Sequence, residues 1–263
     1  MRCIRMLPLT EVAKDIAEKE EGEYKITWKQ FQEVEELLEN RRAKYSYNSF
    51  TGMLRFLMPT FIHASCNRWI TEWVQEMVNA GDIEPAGVKV FIDATLKDFK
   101  ENYSRSAKDP DAGIYPRGRK WPTMALEAGY SESYDALVDD TDLLLQGTQG
   151  RIGMVIVVKI EPLAPGETEI QNGFLQVYEY DQNLNRSVRR GRRKRLYPPP
   201  SNRLQQCLKF TWNQVLRNKI GEHISDSEQT PPLYLENLRA ILVENVARHL
   251  AFKSHGDDDS EKE

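Results

Sequence analysis

Two acidic residues, Asp111 and Glu127, flank the turn-forming run Pro116-Arg-Gly-Arg-Lys120 within stretches that otherwise favour strands. A hairpin turning about Gly118-Arg119 pairs residues whose numbers sum to about 238, so Asp111 faces Glu127. Directly opposed side chains have Cβ atoms about 5 Å apart. Two carboxylates that close raise each other's pKa unless a cation lies between them. Mg²⁺ or Mn²⁺ accepts such oxygens and completes its shell with water. A metal held this way activates water and stabilises charge on a phosphate. The alternative is a surface hairpin in which each acid finds an arginine or solvent.

Two further residues bear on the choice. At 100° per residue, Ala136, Leu137, Leu143 and Leu144 define an apolar helical stripe with Asp140 at its centre. A carboxylate there faces the protein and needs a partner: a lysine or arginine, a backbone amide, or the same metal. The run 152–158 is continuously apolar, as in a strand covered on both faces, and Lys159 interrupts it on the face of Val155 and Val157. A lysine there either snorkels at the rim or pairs with a buried carboxylate. Asp140 and Lys159 are each other's most economical partners.

The elements that position these residues are legible in outline. Helical spacing predicts helices over 28–44, 67–79, 134–146 and 234–252, and β-rich composition predicts strands over 88–94, 111–115, 123–130, 152–160 and 174–180. The segment 208–216 fits a strand or a short helix. Trp69 and Trp73, one turn apart, read as core. The order implies an α/β fold with a mixed central sheet flanked by helices.

Asp109-Pro-Asp111, Glu127 within MALEAGYSES, Leu137-x-x-Asp140 and the strand VIVVKI together resemble the PD-(D/E)XK nuclease superfamily. More narrowly, they resemble the restriction-endonuclease-like proteins of filamentous fungi and bacterial relatives that share an E-x-x-x-S strand-to-helix segment. The likeness covers about residues 88–180, and its motifs are moderately specific over 108–160. It implies a restriction-endonuclease-like core at 67–252, an N-terminal helical extension over 1–66, and helical additions at both ends. It also implies a Mg²⁺- or Mn²⁺-dependent nuclease acting on DNA. Asp111 matches the aspartate of the PD motif, Glu127 the second acid, and Asp140 the helix aspartate of the narrower group. The pattern wants a lysine two residues after the second acid, where this chain has Gly129. Lysine migration within the superfamily makes Lys159 the replacement that would assist the attacking water. An upstream helix supplies another acid in some members, for which Glu72 and Glu76 are the candidates. A catalytically inactive version that binds nucleic acid or a protein is the competing reading.

Charge is distributed unevenly. The net charge is −4, yet residues 186–195 carry seven cations: Arg186, Arg189, Arg190, Arg192, Arg193, Lys194 and Arg195. With Pro198-Pro199-Pro200 this block reads as an exposed basic loop near 186–200. It suits a nuclear-import signal, a phosphate-contacting arm, or a solvated loop. Tyr197 is placed to stack on a base. The acidic end, 253–263, reads as a disordered tail.

Other chemistries are excluded or unsupported. The three cysteines, Cys3, Cys66 and Cys207, are far apart and form neither a zinc spacing nor a disulfide framework, which fits a reducing compartment. His63, His223, His249 and His255 show no metal-ligand spacing and read as structural or solvent-facing. There is no Walker-type or GxGxxG loop. No apolar run approaches the roughly 20 residues of a membrane helix, and no secretory signal is apparent. An intracellular protein with no membrane partner is expected.

Overall fold

A computed structural model describes residues 7–92, 94–217 and 228–256, the last five of these by backbone only. Cys3, His223 and the tail over 257–263 lie outside the described residues.

The N-terminal region departs from the expected helical extension. It forms helix α1 (Leu9–Glu18), strand β1 (Glu21–Lys25), helix α2 (Trp28–Arg41), and strands β2 (Lys44–Asn48) and β3 (Met53–Leu57). Thr27 and Gln30 cap α2 reciprocally, and the helix stops where Arg42 turns left-handed (φ 56°), releasing Lys44 into β2. Tyr45, Tyr47, Leu54 and Phe56 are buried against Phe31, Val34 and Leu38 of α2. These strands make a second core that helical spacing could not reveal. Helix α3 (Phe61–Asn79) begins six residues earlier than expected and runs through the anticipated boundary at 66/67, capped by Thr60.

The rest is a mixed α/β layer. Strand β4 (Val88–Phe91) is followed by β5 (Ala107–Lys108), β6 (Ala112–Pro116), β7 (Met124–Gly129), helix α4 (Tyr134–Gln146), β8 (Met154–Ile160), β9 (Gly173–Asp181) and β10 (Arg186–Tyr197). The ambiguous 208–216 segment holds both alternatives: β11 (Cys207–Leu208) and the short helix α5 (Trp212–Leu216). Strand β12 (Leu233–Tyr234) leads into the closing helix α6 (Leu235–Gly256), whose backbone includes 253–256, the first residues of the expected tail.

Six strands form one sheet in the order β10-β9-β8-β7-β6-β4, and four form another, β1-β3-β2-β5. In the larger sheet only β7 and β8 run parallel, because α4 provides the crossover that a parallel pair needs. One face carries Met124, Leu126, Ile156 and Val158 against Trp69 and Trp73 of α3 and Leu238 of α6. The other carries Ala125, Val155 and Val157 against Leu137 and Leu144 of α4. Strand β8 is buried along its whole length, as its unbroken apolar run predicts.

The basic block is not a loop. Strand β10 pairs antiparallel with β9 along the sheet edge, with a bulge between Arg190 and Lys194 where Gly191 takes a positive φ of 67°. Charge on an edge strand discourages pairing with another chain. Among the described residues, no helix is long and apolar enough to cross a membrane.

Candidate functional site

The acids converge where the two sheets meet α4. The hairpin register is the expected one: Ala112 pairs with Leu126 and Gly113 with Ala125, and the Asp111 amide donates to Leu126 O (3.1 Å). That amide bonds Leu126 O rather than Glu127 O, one step off the register that would set Asp111 directly opposite Glu127; the two carboxyl groups nevertheless line one void. Asp111 Oδ2 accepts the Ala128 amide (2.7 Å), which anchors the carboxylate at the end of the hairpin.

The smaller sheet supplies the cations. Arg55 pairs with Ser46 across β3 and β2, and Ser46 with Lys108 across β2 and β5, so the three line up in one cross-strand row. Asp140 of α4 meets that row. Its Oδ1 accepts from Ser46 Oγ (2.8 Å) and lies 3.5 Å from Arg55 Nη1, while its Oδ2 is 3.0 Å from Lys108 Nζ. The same amine is 2.8 Å from Glu127 Oε2. Arg55 also binds Glu23 (2.8 Å) and Asp139 (2.7 Å). Asp140 thus finds the cationic partner that its place on the helix demands.

That partner is not Lys159. Gly129 pairs with Lys159 in the parallel β7–β8 register, so the lysine occupies the face expected of it, beside the residue it was to replace. Its amine, however, donates to Tyr130 O (2.7 Å) and Ile160 O (2.9 Å) and lies 3.6 Å from Glu161. It ties down the turn between β7 and α4. Burial lowers its pKa, against the pull of Glu161. A side chain at 129 would crowd α4: a Cβ there would lie 2.7 Å from Leu137 Cδ1, so Leu137 would have to shift. Lys108, three residues before Asp111, provides the amine instead.

Burial sets the electrostatics. Lys108, Asp111, Glu127 and Asp140 are each no more than 6% exposed. Burial opposes charge on Lys108, but Asp140, Glu127 and Asp111 outweigh it and hold the amine well above the ordinary lysine value. Burial pushes Glu127 well above the usual carboxylate range; Lys108 opposes this, and Asp111 and Asp140 reinforce it. Among the described residues, Glu127 Oε1 is buried without a hydrogen-bond partner, as is Asp109 Oδ1 nearby. A void of about 10 Å³ lies among Asp109, Asp111, Glu127, Glu132 and Asp140.

Two neighbours carried no usable sequence signal. His63 Nε2 points between Asp111 Oδ1 (4.0 Å) and Glu132 Oε2 (3.9 Å) and has no hydrogen-bond partner. Burial opposes charge on His63, while Asp111 and Glu132 favour it and raise its pKa. Glu132 lies in the turn before α4 and lines an open cleft of about 690 Å³ bounded by Glu21, Glu23, Arg55, Tyr134, Lys159 and Glu161.

One free oxygen bears on a divalent ion. Among the described residues Glu127 Oε1 has no partner, and Asp111 lines the same void; Mg²⁺ ordinarily needs only one or two carboxylates, with water and phosphate completing its shell. Among the described residues, no three His, Cys, Asp or Glu side chains form a ready-made ligand set. Glu72 and Glu76 do not contribute; both are exposed, and Glu72 pairs with Arg68 (2.6 Å).

Along β10, Arg189, Arg192, Arg193 and Arg195 are exposed, and Arg190 and Lys194 half-buried. Arg193 lies 3.8 Å from the Phe174 ring centre and 4.6 Å from that of Tyr134, and Arg190 lies 5.5 Å from that of Phe210. A groove of about 590 Å³ runs between this strand and residues 205–210. Tyr197 does not offer a stacking face: it is buried, with its hydroxyl on Arg239 O (3.4 Å).

In comparisons with known proteins, no family model and no curated protein matches this chain.

Proposed function

We propose that the chain is a divalent-metal-dependent phosphodiesterase of the restriction-endonuclease-like, PD-(D/E)XK kind, acting on DNA. One observation carries this reading. Two neighbouring carboxylates, Asp111 and Glu127, line one buried void, Glu127 Oε1 has no hydrogen-bond partner among the described residues, and a lysine amine sits 2.8 Å from the other Glu127 oxygen. In this reading Asp111 Oδ1 and Glu127 Oε1 hold Mg²⁺ or Mn²⁺. When bound, the ion would supply Lewis-acid stabilisation of charge on the phosphate. Lys108 takes the place expected of Lys159 beside the acids and would stabilise charge on the phosphate, and Asp140 braces Lys108. The arginines of β10 hold the phosphate backbone away from the chemistry. Nuclear import through the same run rests on its composition alone.

The test is Mg²⁺-dependent cleavage of plasmid DNA by the full chain. Cleavage should vanish in Asp111→Asn and in Glu127→Gln, variants that preserve side-chain shape. Activity retained in either, or cleavage unchanged by chelation, refutes the proposal.

A second reading has its own support. Lys108 and Arg55 already neutralise part of the cluster, as a purely structural ion-pair network would. The chain would then be an inactive nuclease-like domain that binds nucleic acid, or a protein, through β10. Salt-sensitive DNA binding without cleavage, abolished by replacing Arg189, Arg192, Arg193 and Arg195, would favour it.

A further inference from the structure

We propose that Glu132 is the proton acceptor for the water that attacks the phosphodiester, a role that rests on the phosphodiesterase reading above. Among the described carboxyl groups around the site, Glu132 alone lines both the open cleft and the inner void. Asp111 and Glu127 border only the void. Water and substrate entering from the cleft meet Glu132 first.

His63 fixes where that water sits. Its Nδ1 accepts the Thr60 amide (3.0 Å) and lies 3.0 Å from Thr60 Oγ1, which in turn accepts the Ile62 amide (3.3 Å). The Thr60 amide donates to Nδ1, which leaves the proton of the neutral ring on Nε2. That N–H is aimed between Glu132 Oε2 at 3.9 Å and Asp111 Oδ1 at 4.0 Å, too far for a direct bond to either. Two hydrogen bonds of about 2.8 Å that meet near a right angle span this distance. A water there accepts from His63 and donates to Glu132 and Asp111, and one lone pair stays free. Lys159 holds the turn that presents Glu132 by binding Tyr130 O. Burial raises the Glu132 pKa, which brings the carboxylate nearer the range of an effective base.

In the step, the water oxygen forms a bond to phosphorus and its proton passes to Glu132 Oε2. The bond from phosphorus to the leaving sugar oxygen breaks, its electron pair stays on that oxygen, and the oxygen takes a proton from solvent.

The experiment compares wild type, Glu132→Gln, Glu132→Ala and Asp111→Asn. Plasmid cleavage is measured in Mg²⁺, and Mn²⁺ affinity by electron paramagnetic resonance without substrate. Glu132→Gln should cleave about 10²-fold more slowly with Mn²⁺ affinity unchanged. Asp111→Asn should lose Mn²⁺ affinity by about tenfold or more. Formate should restore part of the rate to Glu132→Ala and none to Asp111→Asn. Wild-type rates in Glu132→Gln overturn this role and leave the phosphodiesterase reading standing. A loss of Mn²⁺ in Glu132→Gln equal to that in Asp111→Asn makes Glu132 a ligand and also overturns it. A wild type that does not cleave removes the phosphodiesterase reading and this role together.

Discussion

Replacing Lys108 with methionine keeps the length and apolar stem of the side chain and deletes its charge. Lys108 Nζ bridges Glu127 and Asp140 at 2.8 and 3.0 Å from a position only 6% exposed. Breaking a buried ion pair costs roughly 3–5 kcal/mol, because the surviving charge is left uncompensated. Two features limit the loss here. Arg55 stays 3.5 Å from Asp140, and Glu127 can take up a proton because burial already lifts its pKa. The lower end applies: about 3 kcal/mol at pH 8, or roughly 6–12 °C in Tm for a chain of this size.

The pH dependence follows from the direction of the Glu127 shift. A carboxyl whose folded-state pKa is raised contributes stability below its unfolded pKa, and that contribution is lost as pH rises through the folded value. Lys108 lowers the Glu127 pKa, so its removal shifts this window upward in pH. The Lys108 pKa is raised, so its own contribution in wild type is fully present from pH 5.5 to 8. Acidification should therefore narrow the deficit of the variant by up to about 1.4 kcal/mol per pH unit for the one proton gained. Urea unfolding at pH 8 and 5.5, followed by tryptophan emission, measures both quantities. A variant as stable as wild type at pH 8, or a deficit unchanged at pH 5.5, refutes the reasoning.

Three other outcomes are expected. Gly129→Ala should destabilise by about 1–3 kcal/mol, since its Cβ meets Leu137 at 2.7 Å, and adding Leu137→Val should recover part of the loss in the same urea assay. Arg193→Ala should cost about 1 kcal/mol by removing a cation stacked on Phe174 and Tyr134, visible as a shift in urea midpoint. If β10 contacts DNA backbone, each of Arg189, Arg192 and Arg195 changed to Ala should reduce the slope of log affinity against log salt by about 0.9, measured by fluorescence anisotropy.

What the sequence discloses depends on the range of the interaction. The proximity of Asp111 and Glu127 is local: a hairpin turn fixes the register up to Ala112 and Leu126, and numbering across the turn suffices to bring the two acids to one end of it. Asp140 at the centre of an apolar stripe announces a buried carboxylate, but the stripe does not say which cation answers it. That cation comes from β5, a two-residue strand whose place is set by pairing with β2 of the N-terminal sheet. Strands of two to five residues carry little periodicity, so this sheet, and Arg55 and Lys108 with it, stayed hidden. The basic block misled for a related reason. Its charges suppress a hydrophobic alternation, yet an edge strand with one ladder partner tolerates them. His63 gave no spacing signal because its role arises from a helix cap that turns Nε2 toward residues far away in sequence. The alignment of Lys108 beside Asp109-Pro-Asp111 was the one available hint, since a lysine adjoining buried acids has few other places to go.

The charge balance of the site ties these pieces together and yields a last expectation. Among the described residues, five carboxyl groups and three cationic side chains line the inner void of about 10 Å³, an excess of two acidic groups over basic ones. A buried excess of that size has to be met by protons or by a cation. Two protons would suit low pH, and one divalent ion suits neutral and higher pH. Mg²⁺ should therefore stabilise the protein at pH 8, by roughly 2.7 kcal/mol at a hundredfold excess over Kd. The gain should fade as pH falls and Glu127, its pKa raised by burial, protonates. Asp111→Asn and Glu127→Gln should abolish it, because each removes a carboxylate that lines the void, and that of Glu127 has an oxygen without a partner among the described residues. Lys108→Met should enlarge it, since the ion then answers a charge that the amine no longer meets. Calorimetric scans across pH with Mg²⁺ and with chelator read all four effects. If Mg²⁺ leaves the wild-type transition unmoved at every pH, the cluster is a proton-balanced brace between two sheets, and the phosphodiesterase proposal falls with the ion.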